Sequence, residues 1–284
     1  DQGVGGIQDR PLLHQHHGQD HRGGVMELTL IGTGTCSPVK DRTPACYFLR
    51  VGTSRIIIDP GPGAVSRIAH RGLDPMDVDA IFLSHHHLDH SADVAPWLFS
   101  YKYCLGPNSA GSDQPRRDPL IVAPEGFRKI YDGLLDVYGS MMLSDDYKVQ
   151  IEEVNRTEWE WPGGLSFRSI PMLHFIPSVG YLFKKPDGPA LAYSGDTGFC
   201  EELVELAAMA DALLVECSLP DERRMEGHMT PSDVARVGME SGVGKLILTH
   251  FYPMMDPRAA VETIRAAGYS GEIIAGEDGM VVGI

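Results

Sequence analysis

The sequence predicts an α/β (α+β) chain in which two sheets pack face to face with helices outside, in one domain running from Met26 to Ile284. Three observations predict it. Short apolar runs bounded by Gly- and Pro-containing turns recur along the chain, as strands do. Helical stretches are interspersed among them, so each sheet has helices to cover it. His and Asp residues recur where the apolar runs stop.

In order, Leu28 to Gly32, Cys46 to Val51 and Arg55 to Asp59 read as consecutive strands, and Val65 to Arg71 as a helix. Ala80-Ile81-Phe82-Leu83 reads as a buried strand ending at Ser84, and Ala95 to Tyr103 as a helix. Leu120 to Ala123 is a strand, Glu125 to Met141 mostly helix, and Tyr147 to Val154 and Leu165 to Met172 are strands. Val179 to Phe183, Ala190 to Ser194, Ala212 to Cys217 and Lys245 to Thr249 follow as strands. Cys200 to Met209, Pro231 to Ser241 and Pro257 to Ala267 read as helices, with Thr230 or Ser232 as cap of the second. Glu272 to Ala275 and Met280 to Ile284 close the chain. Gly106 to Asp118 is a polar surface insertion. Residues 1–25 hold His14, His16, His17 and His21 without apolar periodicity, and read as a disordered or non-native extension.

Composition narrows the function classes. A net charge of −15 counts against a large polyanionic partner, because nucleic-acid affinity rests on Lys and Arg neutralising phosphates. No run approaches the ~18 to 20 apolar residues of a membrane span, so the expectation is a soluble, cytoplasmic protein without membrane contact. The five cysteines form no CxxC pair and read as buried small hydrophobes rather than disulfides or thiolate ligands.

The chemistry concentrates in His85-His86-His87-Leu88-Asp89-His90, directly after a strand. Side chains alternate along extended backbone, so His85 and His87 project to one side and His86 away. Asp89 and His90 fall in the turn that follows. His174, Asp196 and His250 also end apolar strands. A divalent metal acting as Lewis acid near neutral pH suits imidazoles with carboxylates, and two metals roughly 3.5 to 4 Å apart need a bridging ligand. The expected sets are His85, His87 and His174 for one metal, and Asp89, His90 and His250 for the other, with Asp196 bridging. Donors without thiolate suit Zn2+ first, with Mn2+ or Fe as substitutes.

This constellation resembles the metallo-β-lactamase superfamily, whose HxHxDH signature is matched by His85, His87, Asp89 and His90, and whose later ligands are matched by His174, Asp196 and His250. Asp59 matches its supporting Asp at an early strand end. The resemblance implies a four-layer αββα sandwich with a dinuclear metal site at one edge. Within the superfamily, Ile31-Gly32-Thr33-Gly34, Ser194-Gly195-Asp196-Thr197, Leu248-Thr249-His250-Phe251 and Gly227-His228-Met229-Thr230-Pro231 look like segments of ribonuclease Z and related phosphodiesterases. That likeness implies His228 as the general acid protonating the departing oxygen, with Glu216 orienting it. Two departures weaken a tRNA substrate. Only 21 residues separate His174 from Asp196, too few for the long tRNA-gripping arm, and Asp59-Pro60-Gly61-Pro62 lacks the Glu of the tRNA enzymes.

The resulting expectation is a dinuclear-metal phosphodiesterase for a small or nucleotide-like phosphodiester, in which a metal-bridging hydroxide attacks phosphorus. Asp89, His228 and Glu216 are its expected catalytic residues. The alternatives are a tRNA 3′-end endonuclease and an ester, lactone or thioester hydrolase with the same metals. A homodimer is compatible with relatives of this kind.

Overall fold

The computed structural model describes residues 26–104, 117–160 and 164–284. The extension at 1–25 and the insertion from Gly106 to Asp118, except Arg117 and Asp118, lie outside the described residues. The elements run β1 (Met26–Gly32), β2 (Cys46–Val51), β3 (Ser54–Ile58), α1 (Ala64–His70), β4 (Ala80–Phe82), α2 (Leu88–Ser91) and α3 (Val94–Tyr103). There follow β5 (Leu120–Pro124), α4 (Phe127–Tyr138), β6 (Gln150–Val154), β7 (Thr157–Glu160), β8 (Ser166–Pro171), β9 (Val179–Lys184) and β10 (Ala190–Tyr193). The chain closes with α5 (Glu201–Ala207), β11 (Ala212–Glu216), α6 (Pro231–Ser241), β12 (Lys245–Thr249), α7 (Pro257–Ala266), β13 (Glu272–Ala275) and β14 (Val281–Gly283).

The strands form two seven-stranded sheets, ordered β14-β1-β2-β3-β4-β5-β6 and β13-β12-β11-β10-β9-β8-β7. Strand alternation sorts each strand's residues between two cores. Leu28, Leu30, Tyr47, Leu49, Ile56 and Ile58 face Leu191, Tyr193 and Leu214 of the other sheet. Ile31, Phe48 and Ile57 point outward into a core shared with α1 and α3. Ala192, Leu213 and Val215 do the same beneath α5, α6 and α7. Two sheets inside and helices outside give the expected αββα sandwich. Between the sheets, Phe82 packs edge-on against Phe167, Tyr181 and Phe183, with ring centroids 4.9, 5.1 and 5.0 Å apart.

The departures from the expected elements are local. Asp89 and His90 lie in the single helical turn α2 rather than an irregular turn. β7 has no apolar run because it is an edge strand whose side chains alternate between half-buried and exposed. The helix expected from Glu125 starts at Phe127, since Gly126 takes a left-handed φ of 96°, and a 3-10 turn at Gly139–Met141 ends it. Thr230 caps α6 through a reciprocal box with Asp233. Cys46 and Cys217 are buried in the cores, whereas Cys36 is exposed. Among the described residues, no helix is long and apolar enough to cross a membrane.

Strand direction places the site. β3 runs parallel to β4, and β10, β11 and β12 are mutually parallel. β8 is antiparallel to β9, which is antiparallel to β10, so β8 shares their direction. The residues that follow or end these strands, Asp59, Ser84, His174, Asp196, Glu216 and His250, therefore gather at one edge of the sandwich.

Candidate metal centre

Two clusters form at that edge. One donor atom from each of His85, His87, His174 and Asp196 falls within 4.8 Å of the others, and so does one from each of Asp89, His90 and His250. His85 Nε2 is 3.0 Å from His87 Nδ1, which is 3.3 Å from His174 Nε2. His90 Nε2 is 3.2 Å from His250 Nε2 and 3.4 Å from Asp196 Oδ1, and His250 Nε2 is 3.4 Å from Asp196 Oδ2. Asp196 thus stands between the clusters. His86 turns away to hydrogen-bond the Glu125 carbonyl at 3.2 Å, and His70 hydrogen-bonds the Ser66 carbonyl at 2.8 Å.

The far side of each ring is held. His174 Nδ1 donates to the Gly227 carbonyl at 2.9 Å, which leaves Nε2 unprotonated towards the cluster. His90 Nδ1 donates to Asp59 Oδ2 at 2.8 Å, and His85 Nδ1 lies 3.0 Å from Ser84 Oγ, whose hydroxyl donates to the same carboxylate at 2.6 Å. Tyr193, from the opposite sheet, also donates to Asp59 Oδ2 at 2.5 Å. His250 Nδ1 is 3.0 Å from Ser218 Oγ. Asp59 and His250 both take left-handed φ values, 49° and 56°, a backbone cost concentrated at the two strand ends that aim into the site.

Ser84, Tyr193 and Ser218 are supports that sequence reasoning missed. Ser84 and Ser218 lie beside Asp59's partner strand and Glu216, and their only sequence signal is adjacency to His85 and Glu216. Tyr193 reads simply as a core residue until the two sheets are brought together.

Charge follows burial and contact. Burial lowers the pKa of His85, His87 and His174, and neighbouring histidines add to this, so the first cluster presents neutral imidazoles. Burial also opposes ionisation of Asp89, but the hydrogen bond to His250 and the charges of His90 and His250 outweigh it and bring the carboxyl to about 2. Asp196 is held well below the usual carboxylate range against its burial, chiefly by His250 and His90. Its Oδ1 is buried and accepts no hydrogen bond. An ionised, orphaned carboxylate oxygen facing converging imidazole nitrogens is a fit for a cation, and the donor set suits a divalent metal.

His228 stands beside this centre. Its Nδ1 lies 3.2 and 3.3 Å from the two oxygens of Glu216, and 3.9 Å from Asp196 Oδ2. Burial lowers its pKa, but the Glu216 hydrogen bond and charge, with Asp196, prevail and raise it to about 9. Glu216 is itself fixed by the backbone N–H groups of Thr197 and Met229, at 2.6 and 3.2 Å, and by the Ser218 hydroxyl. One donor atom of His228 also falls within 4.8 Å of donor atoms of Asp196 and His250. All nine expected site residues are therefore brought to one edge.

An αββα sandwich with an imidazole–carboxylate cluster at the ends of its strands defines a class of metal-dependent hydrolases. Residues 54–251 match the family described as the Beta-lactamase superfamily domain, and the chain belongs to that family. It is a metallo-β-lactamase-fold, metal-dependent hydrolase. A ribonuclease Z from Mycobacterium bovis is 27% identical over 278 residues, covering 89% of this chain and 96% of that protein. The metallo-beta-lactamase fold protein YhfI from Bacillus subtilis superposes with a TM-score of 0.77 at 20% identity, over 90% of this chain and 99% of that one. A diphosphatase from the PhnP family superposes with a TM-score of 0.66 at 19% identity, over 90% and 97% of the two chains.

Proposed function

We propose that this hydrolase is a phosphodiesterase acting on a small or nucleotide-like phosphodiester, with two divalent cations, zinc first and manganese or iron as substitutes. The observation that carries the reading is the His228–Glu216 pair beside Asp196. An alkoxide leaving a phosphodiester needs a proton, and a buried imidazole tied through Nδ1 to a fixed carboxylate keeps Nε2 as the nitrogen able to give one.

Divalent cations in this centre supply Lewis acidity towards phosphoryl oxygens and towards water. His85, His87 and His174 would hold one, Asp89, His90 and His250 the other, and Asp196, between the clusters, would serve either. Asp89, held ionised at neutral pH, would also accept a hydrogen bond from the O–H of the incoming water. Asp59 and Ser84 keep the rings in register, so the site is organised before substrate arrives.

The test uses metal-reconstituted protein and bis(p-nitrophenyl) phosphate. Asp196→Ala is expected to abolish turnover. His228→Ala is expected to cost about 10²- to 10⁴-fold with alkyl diesters and much less with the good p-nitrophenolate leaving group. Full activity of Asp196→Ala, or equal tolerance of His228→Ala by both substrate types, sinks the mechanism. The second outcome is the one expected of an ester, lactone or thioester hydrolase.

A tRNA 3′-end endonuclease is the second reading, favoured by the likeness to ribonuclease Z along nearly the whole of both chains. Its electrostatic footing is thin: Arg224 is committed to Asp233, and Arg42 to Thr33 and the Gly276 carbonyl. Salt-dependent binding of precursor tRNA with a steep slope would establish it.

A further inference from the structure

Large apolar side chains stand exposed in the segments that carry the metal-centre residues. Leu88, between His87 and Asp89, is 75% exposed, and Phe175, directly after His174, is 60% exposed. Leu173, Met225 and Met254 are also exposed large apolar side chains close in sequence to His174, His228 and His250. Exposed apolar groups that adjoin a polar centre are available for a ligand to cover.

A row of rings runs from Phe175 across the centre. Phe175 lies 5.4 Å from His174 between centroids, His174 is 5.2 Å from His228, and His228 is 5.9 Å from Tyr252. Tyr252 is also 6.0 Å from His250, is half-buried, and has its hydroxyl 3.9 Å from Cys36 Sγ in the loop after β1. Phe175 is seated on Gly227: a Cβ there would come within 3.0 Å of Phe175 Cε2. Tyr252 thus lies next to the proposed proton donor His228, and Phe175 lies one ring further along on the other side, beyond His174.

We infer that Phe175 and Tyr252 are specificity residues that offer stacking faces to an aromatic ring carried by the phosphodiester, such as a nucleobase. The inference rests on the phosphodiesterase reading and adds the substrate class to it. The metal centre and His228 meet the phosphoryl group, which is alike in every diester; discrimination must come from the substituent. Half-buried and exposed aromatic rings favour a flat π-faced group, which stacks on them without needing sequence- or base-specific hydrogen bonds.

The experiment compares the methyl esters of adenosine 5′-monophosphate and of glycerol 3-phosphate, which release the same alcohol, methanol. Wild-type protein is expected to prefer the adenosine ester. Phe175→Ala is expected to lower kcat/KM for that ester by about tenfold, mostly through KM, the loss of one stacking contact. The glycerol ester should change by less than about twofold, since it makes no stacking contact to lose. Phe175→Trp and Tyr252→Phe should retain the preference, and Tyr252→Leu should lose it, all with wild-type metal content. A parallel reading comes from adenosine 5′-monophosphate and glycerol 3-phosphate as competitive inhibitors of bis(p-nitrophenyl) phosphate turnover. Equal losses on both substrates, or a wild-type preference for the glycerol compounds, overturn the inference. Failure of wild-type protein to hydrolyse any of the diesters overturns instead the phosphodiesterase reading beneath it.

Discussion

Asp59 Oδ2 and His90 Nδ1 lie 2.8 Å apart, both side chains wholly buried, and this bond turns His90 Nε2 towards His250 and Asp196. The same carboxylate accepts the Ser84 N–H and hydroxyl, each at 2.6 Å, and the Tyr193 hydroxyl. One carboxylate therefore sets the orientation of His90 directly and of His85 through Ser84, and fastens the two sheets together beside the site.

Asp59→Asn keeps the volume but places an NH2 among groups that donate. We expect metal affinity to fall about 10- to 100-fold, the usual cost of losing an outer partner of a ligand. Chelator competition measures it. Unchanged affinity would mean that the bond to His90 is incidental.

Glu216→Gln tests the proton donor through its partner. A donor acts while protonated, so the rate falls as pH rises through its pKa. Glu216 is the main cause raising His228 to about 9 against its burial. Its neutral replacement is expected to move the alkaline limb of kcat to lower pH and to slow alkyl diesters more than p-nitrophenyl ones. A pH profile that does not move would show that His228 is not the group being read.

Much of this site is legible in the sequence because strand ends announce themselves: an apolar run that stops at His or Asp marks both the element and its exit, as at Phe82 to His85 and Leu248 to His250. The convergence of those ends follows from parallel pairing, which local pattern does not encode. β7 is silent because an edge strand needs only one half-buried face, and Thr157-Glu158-Trp159-Glu160 contains no apolar run. Tyr193 is silent for a different reason. Its partner Asp59 lies 134 residues away, and only sheet-on-sheet packing brings its hydroxyl to that carboxylate.

Chelation should destabilise the fold as well as stop turnover. A cation that binds the folded centre and not the unfolded chain stabilises by about 2.7 kcal/mol at a hundredfold excess over Kd. For a domain of this size that corresponds to roughly 5 to 10 °C in Tm. Thermal unfolding with and without chelator reads the shift, and Asp196→Ala should show little of it. An equal shift in that variant would place the stabilising metal elsewhere.

Gly227→Ala bears on how His174 and His228 are held together. Gly227 has φ 74°, a region that costs an L-residue about 1 to 2 kcal/mol, and its carbonyl accepts from His174 Nδ1. The added Cβ would also lie 3.1 Å from that Nδ1 and 3.0 Å from Phe175, so the backbone, the ligand and the exposed ring are asked to move at once. We expect a loss of about 1 to 3 kcal/mol in stability. Metal affinity at the cluster of His85, His87 and His174 should weaken with it, because His174 loses its fixed acceptor. Denaturant unfolding and metal titration on the same preparation separate the two effects. Lost stability with intact metal affinity would show that the Gly227 carbonyl does not position His174.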